Sequence, residues 1–414
     1  MIFKEKANAI VGQSGGPTTA INATLAGVIS ASLASDQIDV LYGAKNGVEG
    51  MLREDVINLS EIFDCKEKLD RLSATPAAAL GSCRLKLPAV ENAVNNEKYI
   101  KLFEFFKKNN IRYFFYIGGN DSMDTVSKLS AVCDGFGWDM NFVGVPKTID
   151  NDLALTDHTP GYGSAAKFIA TVISEMLCDT AVYTVNAVTI VEIMGRDTGW
   201  LTAASALASV NNGIGPDYVY LPERDFDYQS FFMDIEEAFK KHPNVLIAVS
   251  EGLHLADGRL VGEGMQSGDT DVFGHKYLDG TAKELEIAVK KWFGCKVRSV
   301  ELNLPQRCAA HAASKTDIEE SFSVGSAAVE ASLKGKSDCM MCIIRNEGKE
   351  YSVSYMPAPV SEIANKVKYV PDDFINEKGN NVTQKCIDYM LPLVNGEATY
   401  YTKNGLPDFF TLPF

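Results

Sequence analysis

Three short segments carry residue types suited to phosphate chemistry, and each directly follows an apolar run. The densest is Pro146-Lys147-Thr148-Ile149-Asp150-Asn151-Asp152. Asp150 and Asp152 stand two apart, so in an extended segment both face one way. One can act as general base while the other orients it or holds a metal. Lys147 supplies positive charge for a transferring phosphoryl group. Gly118-Gly119-Asn120-Asp121-Ser122 offers open space at its glycines and oxygen ligands for Mg²⁺, although Asn, Asp and Ser are also ordinary helix caps. Gly12-Gln13-Ser14-Gly15-Gly16-Pro17 has small residues that let a phosphate reach backbone N–H groups at a helix N-terminus, and it equally suits a tight turn.

The elements that must position these segments alternate along the chain. Apolar runs predict strands over Asn8–Val11, Asp39–Tyr42, Tyr113–Ile117, Phe142–Val145, Ala187–Ile193, Val245–Val249 and Met340–Ile344. Amphipathic stretches predict helices over Thr19–Ala34, Tyr99–Lys108, Ser122–Cys133, Ser164–Leu177, Trp200–Ala208, Phe231–Lys241, Gly280–Trp292 and Gly325–Leu333. Turns fall at Pro146, Pro160-Gly161, Gly213–Pro216, Gly258 and Gly268. This is the pattern of an α/β protein with mainly parallel sheets, whose ligands bind at the carboxyl ends of the strands.

The composition narrows the chemistry further. The 414 residues, 46% hydrophobic, suffice for two or three domains. A net charge of −15 without a run of Lys and Arg argues against nucleic acid or an anionic membrane as partner. Nine scattered cysteines do not make a disulfide framework, and Cys339-x-x-Cys342 lacks a second ligand pair for zinc. No signal peptide or membrane span is read, so the cytoplasm is the expected compartment. Neither a GxGxxG dinucleotide fingerprint nor a Walker A loop is present, which sets aside a nicotinamide-dependent dehydrogenase.

Taken together, the segments resemble the phosphofructokinase family. PKTIDND is similar to its P-[GK]-T-I-D-N-D, and Gly118–Ser122 to its G-G-[DN]-[GD]-S. Ser14-Gly15-Gly16 resembles its first phosphate loop, and Gly81-Ser82-Cys83-Arg84 its G-[ST]-x-R. Met194-Gly195-Arg196 and Ser250-Glu251-Gly252 resemble its sugar-phosphate motifs, and Pro305-Gln306-Arg307 the end of the strand that leads to its Q-R. The resemblance implies two similar three-layer α/β domains with the active site in the cleft between them. Residues 1–162 plus about 306–350 would bind the donor and Mg²⁺, and 163–305 plus about 351–414 the sugar phosphate. A homodimer or homotetramer is implied as well.

The same resemblance implies residue roles. Asp150 is similar to the base that takes the proton from the 1-hydroxyl of fructose 6-phosphate, supported by Asp152. Lys147, Arg84 and Arg196 are similar to groups that stabilise the transferring phosphoryl. Gly15, Gly16, Gly119, Asp121, Ser122 and Thr148 resemble the donor site, with Asn120 and Asp121 as metal ligands. Thr148, Met194, Gly195 and Glu251 resemble sugar contacts, and Arg298 and Arg307 contacts to the 6-phosphate, a task that suits the guanidinium fork. ATP users in the family have glycine where this chain has Asp121 and Lys147, and pyrophosphate users have Asp and Lys. The two larger side chains fill the space of a nucleotide's α-phosphate, and like charges at 4 Å repel by about 4 kcal/mol at an effective dielectric of 20. Pyrophosphate is therefore the expected donor, with an ATP-dependent enzyme or a non-catalytic binding subunit as the alternatives.

Several positions depart from the family pattern. Asn120 stands where Asp is frequent, Leu304 where ATP users carry a histidine, and Ala187 where they carry an arginine that reaches a neighbouring chain. The changes at Leu304 and Ala187 leave room for sedoheptulose 7-phosphate as a co-substrate, and the one at Asn120 bears on the metal. Ile21–Ser35 has neither Lys nor Arg, which predicts little allosteric control.

Overall fold

A computed structural model describes residues 1–263 and 280–413; the turn expected at Gly268 lies outside the described residues. The strands are β1 (Ala7–Gln13), β2 (Ile38–Ala44), β3 (Val56–Asn58), β4 (Ile111–Gly118), β5 (Asn141–Pro146), β6 (Ala187–Ile193), β7 (Tyr218–Tyr220), β8 (Asn244–Ser250), β9 (Lys296–Glu301), β10 (Cys339–Arg345) and β11 (Val353–Pro359). The helices used below are α1 (Ile21–Leu33), α2 (Glu97–Lys108), α3 (Asn120–Val132), α4 (Tyr162–Thr180), α5 (Tyr228–Phe239), α6 (Thr281–Phe293), α7 (Lys315–Leu333) and α8 (Gln384–Met390).

Two sheets organise the chain. The first has seven strands in the order β11-β10-β5-β4-β1-β2-β3, and the second has four in the order β7-β8-β6-β9. The second is wholly parallel, whereas the first has antiparallel pairs only at its two edges, β2 with β3 and β10 with β11. Side chains alternate across each strand, which is why the central runs are apolar without interruption. Val11, Phe115 and Ile117 enter a core with α1 and α7 on one face, while Ile10, Phe114 and Tyr116 enter a second core with α2 and α3 on the other. The second sheet repeats the plan. Val191 and Ile193 pack with α4 on one face, and Val188 and Ile190 with α5 and α6 on the other. Both halves are therefore three-layer α/β units. Among the described residues, no helix is long and apolar enough to cross a membrane.

The expected boundary at about residue 350 is displaced. Strand β11 pairs with β10 along its whole length and so belongs to the first sheet. The chain then crosses over: Val370, Phe374, Cys386 and Met390 enter the core of the second half. Leu412 returns to the first. Strand β9 escaped prediction because it is an edge strand whose polar residues alternate with partly covered ones. The first ten residues of α7 were also missed, although Ser314 caps the helix by accepting from the Asp317 N–H, a Ser-x-x-Asp signal legible in the sequence.

Helix α1 is buried from Ile21 to Ile29, so its lack of Lys and Arg has a cause independent of effector binding: a charge there would be desolvated. It crosses α7 at near backbone contact. A Cβ at Gly27 would lie 1.9 Å from the Phe322 carbonyl oxygen, and one at Gly325 would lie 2.2 Å from that of Thr24. Gly325→Ala should therefore force the helices apart and cost roughly 1–3 kcal/mol. Gly348→Ala, whose Cβ would meet nothing closer than 3.7 Å, serves as the control. Equilibrium denaturation of the two variants beside the parent checks this, and equal midpoints would show that the crossing tolerates a methyl group.

Candidate active site

Strands β5, β4 and β1 lie side by side and parallel, so the three segments that follow them emerge together at one edge of the first sheet. A fourth is drawn in by hydrogen bonds. The Gly15 N–H donates to the Cys83 carbonyl at 3.1 Å, the Ser14 hydroxyl donates to the same oxygen, and the Ser82 hydroxyl donates to the Gly15 carbonyl. Arg84 is thereby seated beside the first loop. Gly15 has φ +78°, a conformation that glycine adopts without steric cost. Gly118 is required by space, since a Cβ there would lie 1.9 Å from the Ser122 hydroxyl oxygen. A Cβ at Gly119 would meet only ordinary contacts, the nearest at 3.6 Å.

Beneath this loop lies Lys147, whose side chain is buried and whose ammonium donates to the Gly16 carbonyl oxygen at 2.5 Å. Burial pulls its pKa down to about 8; Arg307 and Arg84 pull the same way, while Asp150 and Asp152 oppose. Arg307 reaches the same loop, its guanidinium 3.2 Å from where a Gly16 Cβ would stand. Three cations thus converge on Gly15–Gly16 in a chain that is acidic as a whole. At the rim, the Asp121 carboxylate pairs with Lys86 at 3.1 Å.

The segment after β5 is a turn and not the extended stretch expected. Asn151 has φ +55°, in the left-handed region where Asn is among the residues most readily found. The two flanking carboxylates still sense each other, so they share one site, but through a turn. The Thr148 hydroxyl lies 3.1 Å from an Asp150 carboxylate oxygen and accepts from the Asp150 N–H. Burial raises the pKa of Asp150, against the opposing pull of Thr148 and Lys147. Burial and the charge of Asp150 bring Asp152 up to about 7.

The second half closes on this edge from the end of β6. The Met194 N–H donates to the Gln306 side-chain oxygen and the Gly195 N–H to the Glu251 carboxylate, each at 3.1 Å. Gly195 has φ +142°, and a Cβ on Gly252 would sit 1.9 Å from the Arg196 carbonyl oxygen, so the two loops pack backbone to backbone. Burial pushes Glu251 up to about 8, with Asp150 and Glu192 adding to the effect. Arg196 and Asp197 both act on Asp150. The Thr198 hydroxyl donates to the Asp150 carbonyl oxygen at 3.3 Å, bridging the halves.

One expected site residue stands elsewhere. Arg298 lies on β9 opposite Thr189, 3.8 Å from Asp179 and near Tyr183. Those partners sit at the far end of α4, a helix of 19 residues that starts at the site and runs about 28 Å away from it. Arg298 is therefore not part of the site of its own chain. Asn120 has both ends of its amide engaged, accepting from the Asn365 N–H and donating to the Lys366 carbonyl at 2.7 Å each. It thereby fixes the segment around residue 365, beside the Asp121 carboxylate on the same helical turn. Ser122 is buried against Gly118 on the first turn of α3. Sequence reasoning missed Lys86, Thr198 and Gln306 as site residues, although each stands within two residues of an arginine it did select.

The chain has relatives of known family over nearly its whole length. A family model described as "Phosphofructokinase" matches residues 8–332. A protein of Halomonas elongata named pyrophosphate–fructose 6-phosphate 1-phosphotransferase is 42% identical over 97% of this chain and 94% of its own. One of the same name from Methylococcus capsulatus is 39% identical over 98% and 96%. The crystal structure of a pyrophosphate-dependent phosphofructokinase from Nitrosospira multiformis superposes with a TM-score of 0.87 at 37% identity, covering 98% of this chain and 96% of that one. With its motifs converging on one cleft and its full length shared with such relatives, this chain belongs to the phosphofructokinase family.

Proposed function

We propose that the protein transfers a phosphoryl group from pyrophosphate to the 1-hydroxyl of fructose 6-phosphate. The observation that carries this reading is the buried Lys147 ammonium lodged against Gly15–Gly16, in the field of both the Asp150 carboxylate and the arginines. Fructose 6-phosphate lies toward Met194, Gly195 and Glu251 on the second half, with its 1-hydroxyl at Asp150. Pyrophosphate lies over Gly15, Gly16 and Gly119 on the first. Asp150 takes the hydroxyl proton as the oxygen attacks. The new O–P bond forms, the bridging P–O bond of pyrophosphate breaks, and inorganic phosphate leaves. Lys147, Arg84, Arg196 and Arg307 hold positive charge where negative charge develops.

Members of the family use a divalent metal, and we take it to be Mg²⁺. The residues fit it. Among the described residues no cluster of three or more His, Cys, Asp or Glu could hold a metal alone, whereas Mg²⁺ beside phosphates needs only one or two carboxylates, such as Asp121. When bound, it adds positive charge against the phosphate oxygens. The first sheet with its loops (1–162, about 306–350 and β11) forms the donor side, and residues 163–305 with much of the remainder form the sugar side. Exposed Val182, Tyr183 and Val185, beside Lys296 and Arg298, support a homodimer or homotetramer in which Arg298 faces a neighbouring chain. A cytoplasmic setting suits these substrates.

Donor selection rests on bulk more than on repulsion, because Lys86 offsets the charge of Asp121. Initial rates with fructose 6-phosphate, Mg²⁺ and either pyrophosphate or ATP should show turnover with pyrophosphate alone; turnover chiefly with ATP would overturn the donor assignment. The double variant Asp121→Gly with Lys147→Gly should lose pyrophosphate activity by at least about 100-fold and gain measurable use of ATP. A variant that stays silent with ATP would show that side-chain bulk is not what excludes the nucleotide.

Lys147 must be charged to stabilise the phosphoryl, and its lowered pKa means that the charge is lost as pH rises through about 8. The kcat/KM for pyrophosphate should accordingly fall on an alkaline limb near that pH, since this parameter reports the free enzyme. Lys147→Arg, charged at every accessible pH, should be slower but should lose that limb. A limb unchanged in the arginine variant would assign it to another group.

A further inference from the structure

One segment, residues 365–370, touches both halves of the site. Its start is held by Asn120, Leu153 pairs with Val367, and the Lys368 N–H donates to the Asp152 carbonyl at 2.8 Å. The Lys368 carbonyl accepts from the Trp200 indole, and the Val370 N–H donates to Glu223, which also accepts from the Gly199 N–H. The side chain of Lys368 turns inward over the face of Trp200. Its three ammonium protons have three acceptors: the Asn151 side-chain oxygen at 3.2 Å, the Thr156 carbonyl at 3.2 Å and the Asp157 carbonyl at 2.7 Å.

Asn151 is the left-handed residue between the two aspartates, and its buried amide makes three hydrogen bonds. The oxygen accepts from Lys368 and from the Thr159 N–H, and the nitrogen donates to the Tyr389 hydroxyl at 3.0 Å. Tyr389 in turn donates to the Asp157 carbonyl at 2.6 Å. A left-handed non-glycine residue carries a conformational cost and persists because its surroundings impose it, and here Lys368 and Tyr389 belong to those surroundings.

We propose that Lys368, with Tyr389 beside it, is a positioning residue for phosphoryl transfer: it clamps Asn151 in the turn that aims Asp150 at the acceptor hydroxyl. The inference rests on Asp150 as the base. Lys368 also bears on Asp152, whose charged neighbours are Asp150 and Asp197, which raise its pKa, and Lys368, which lowers it, with Lys147 in the same field. Removing the ammonium therefore moves the ionisation of Asp152 to higher pH.

The test is steady-state kinetics with pyrophosphate and fructose 6-phosphate on the parent, Lys368→Met, Tyr389→Phe, Asn151→Gly and the Lys368→Met/Asn151→Gly double variant. Lys368→Met should lower kcat by about 10- to 100-fold, the scale of a misplaced catalytic group. The KM for fructose 6-phosphate should change less than about threefold, and the acid limb of the pH profile should move up. In the Asn151→Gly background the further loss should shrink to less than about threefold, because the shared contact is already gone. Tyr389→Phe, which removes a single hydroxyl, should lower kcat several-fold and decides the matter should Lys368→Met fail to fold. Parental kcat in Lys368→Met or Tyr389→Phe, or additive losses in the double variant with an unmoved acid limb, would overturn the proposal. An inactive parent would instead overturn the functional reading itself.

Discussion

A lysine ammonium 2.5 Å from a main-chain carbonyl oxygen, buried under a glycine loop, sets the terms for the rest of the structure. A charge in that position loses most of its hydration and survives only with partners close by. Asp150 and Asp152 provide them, and their own carboxylates are driven toward the protonated form by the same burial. The site is thus a set of mutually dependent charges. Lys147 is made less basic, the aspartates more basic, and Glu251 across the cleft is pushed in the same direction as the aspartates. A cleft so arranged can pass a proton and receive a dianionic group near neutral pH, which isolated side chains in water could not do.

Holding those charges in place falls to the backbone. Close approach explains the glycines that crowd the loops, with Gly15 in a left-handed turn and Gly118 and Gly252 where a side chain would collide with the neighbouring loop. A buried polar network stands behind the first loop. The Gln13 amide donates to the Asn22 side chain and accepts from the Leu80 N–H, and Asn22 reaches Thr75 and Ala79. This ties the segment that carries Arg84 to the strand end that carries Gly15. Removing any one member would strand a buried partner, which is costlier than the bond itself.

The two halves are joined by polar contacts as much as by apolar ones. Thr198 bonds the main chain of Asp150, and Asp317 on α7 accepts from the Gly161 and Ser164 N–H groups at the start of α4. The segment at 365–370 adds a third link. Hydrogen bonds are directional, so these joints set the relative placement of Asp150 and Glu251 more narrowly than an apolar seam would.

The apolar runs were enough to place the seven central strands, because a strand covered on both faces must be apolar at nearly every position. The loops were legible for a similar reason: glycines, prolines and paired carboxylates at strand ends have few other uses. Edge strand β9 and the segment that holds Lys368 were not legible. Half-exposed residues carry little periodicity, and residue 368 lies past the end of the family match at residue 332. Arg298 shows the complementary case, an arginine in the right motif order that the fold of a single chain carries to the far end of α4. Residue type and spacing along the chain determined which chemistry this protein can perform. Only the tertiary structure decided which charges share one buried space, because a pKa, a left-handed turn and a clamp from two hundred residues away arise from contacts that local sequence does not encode.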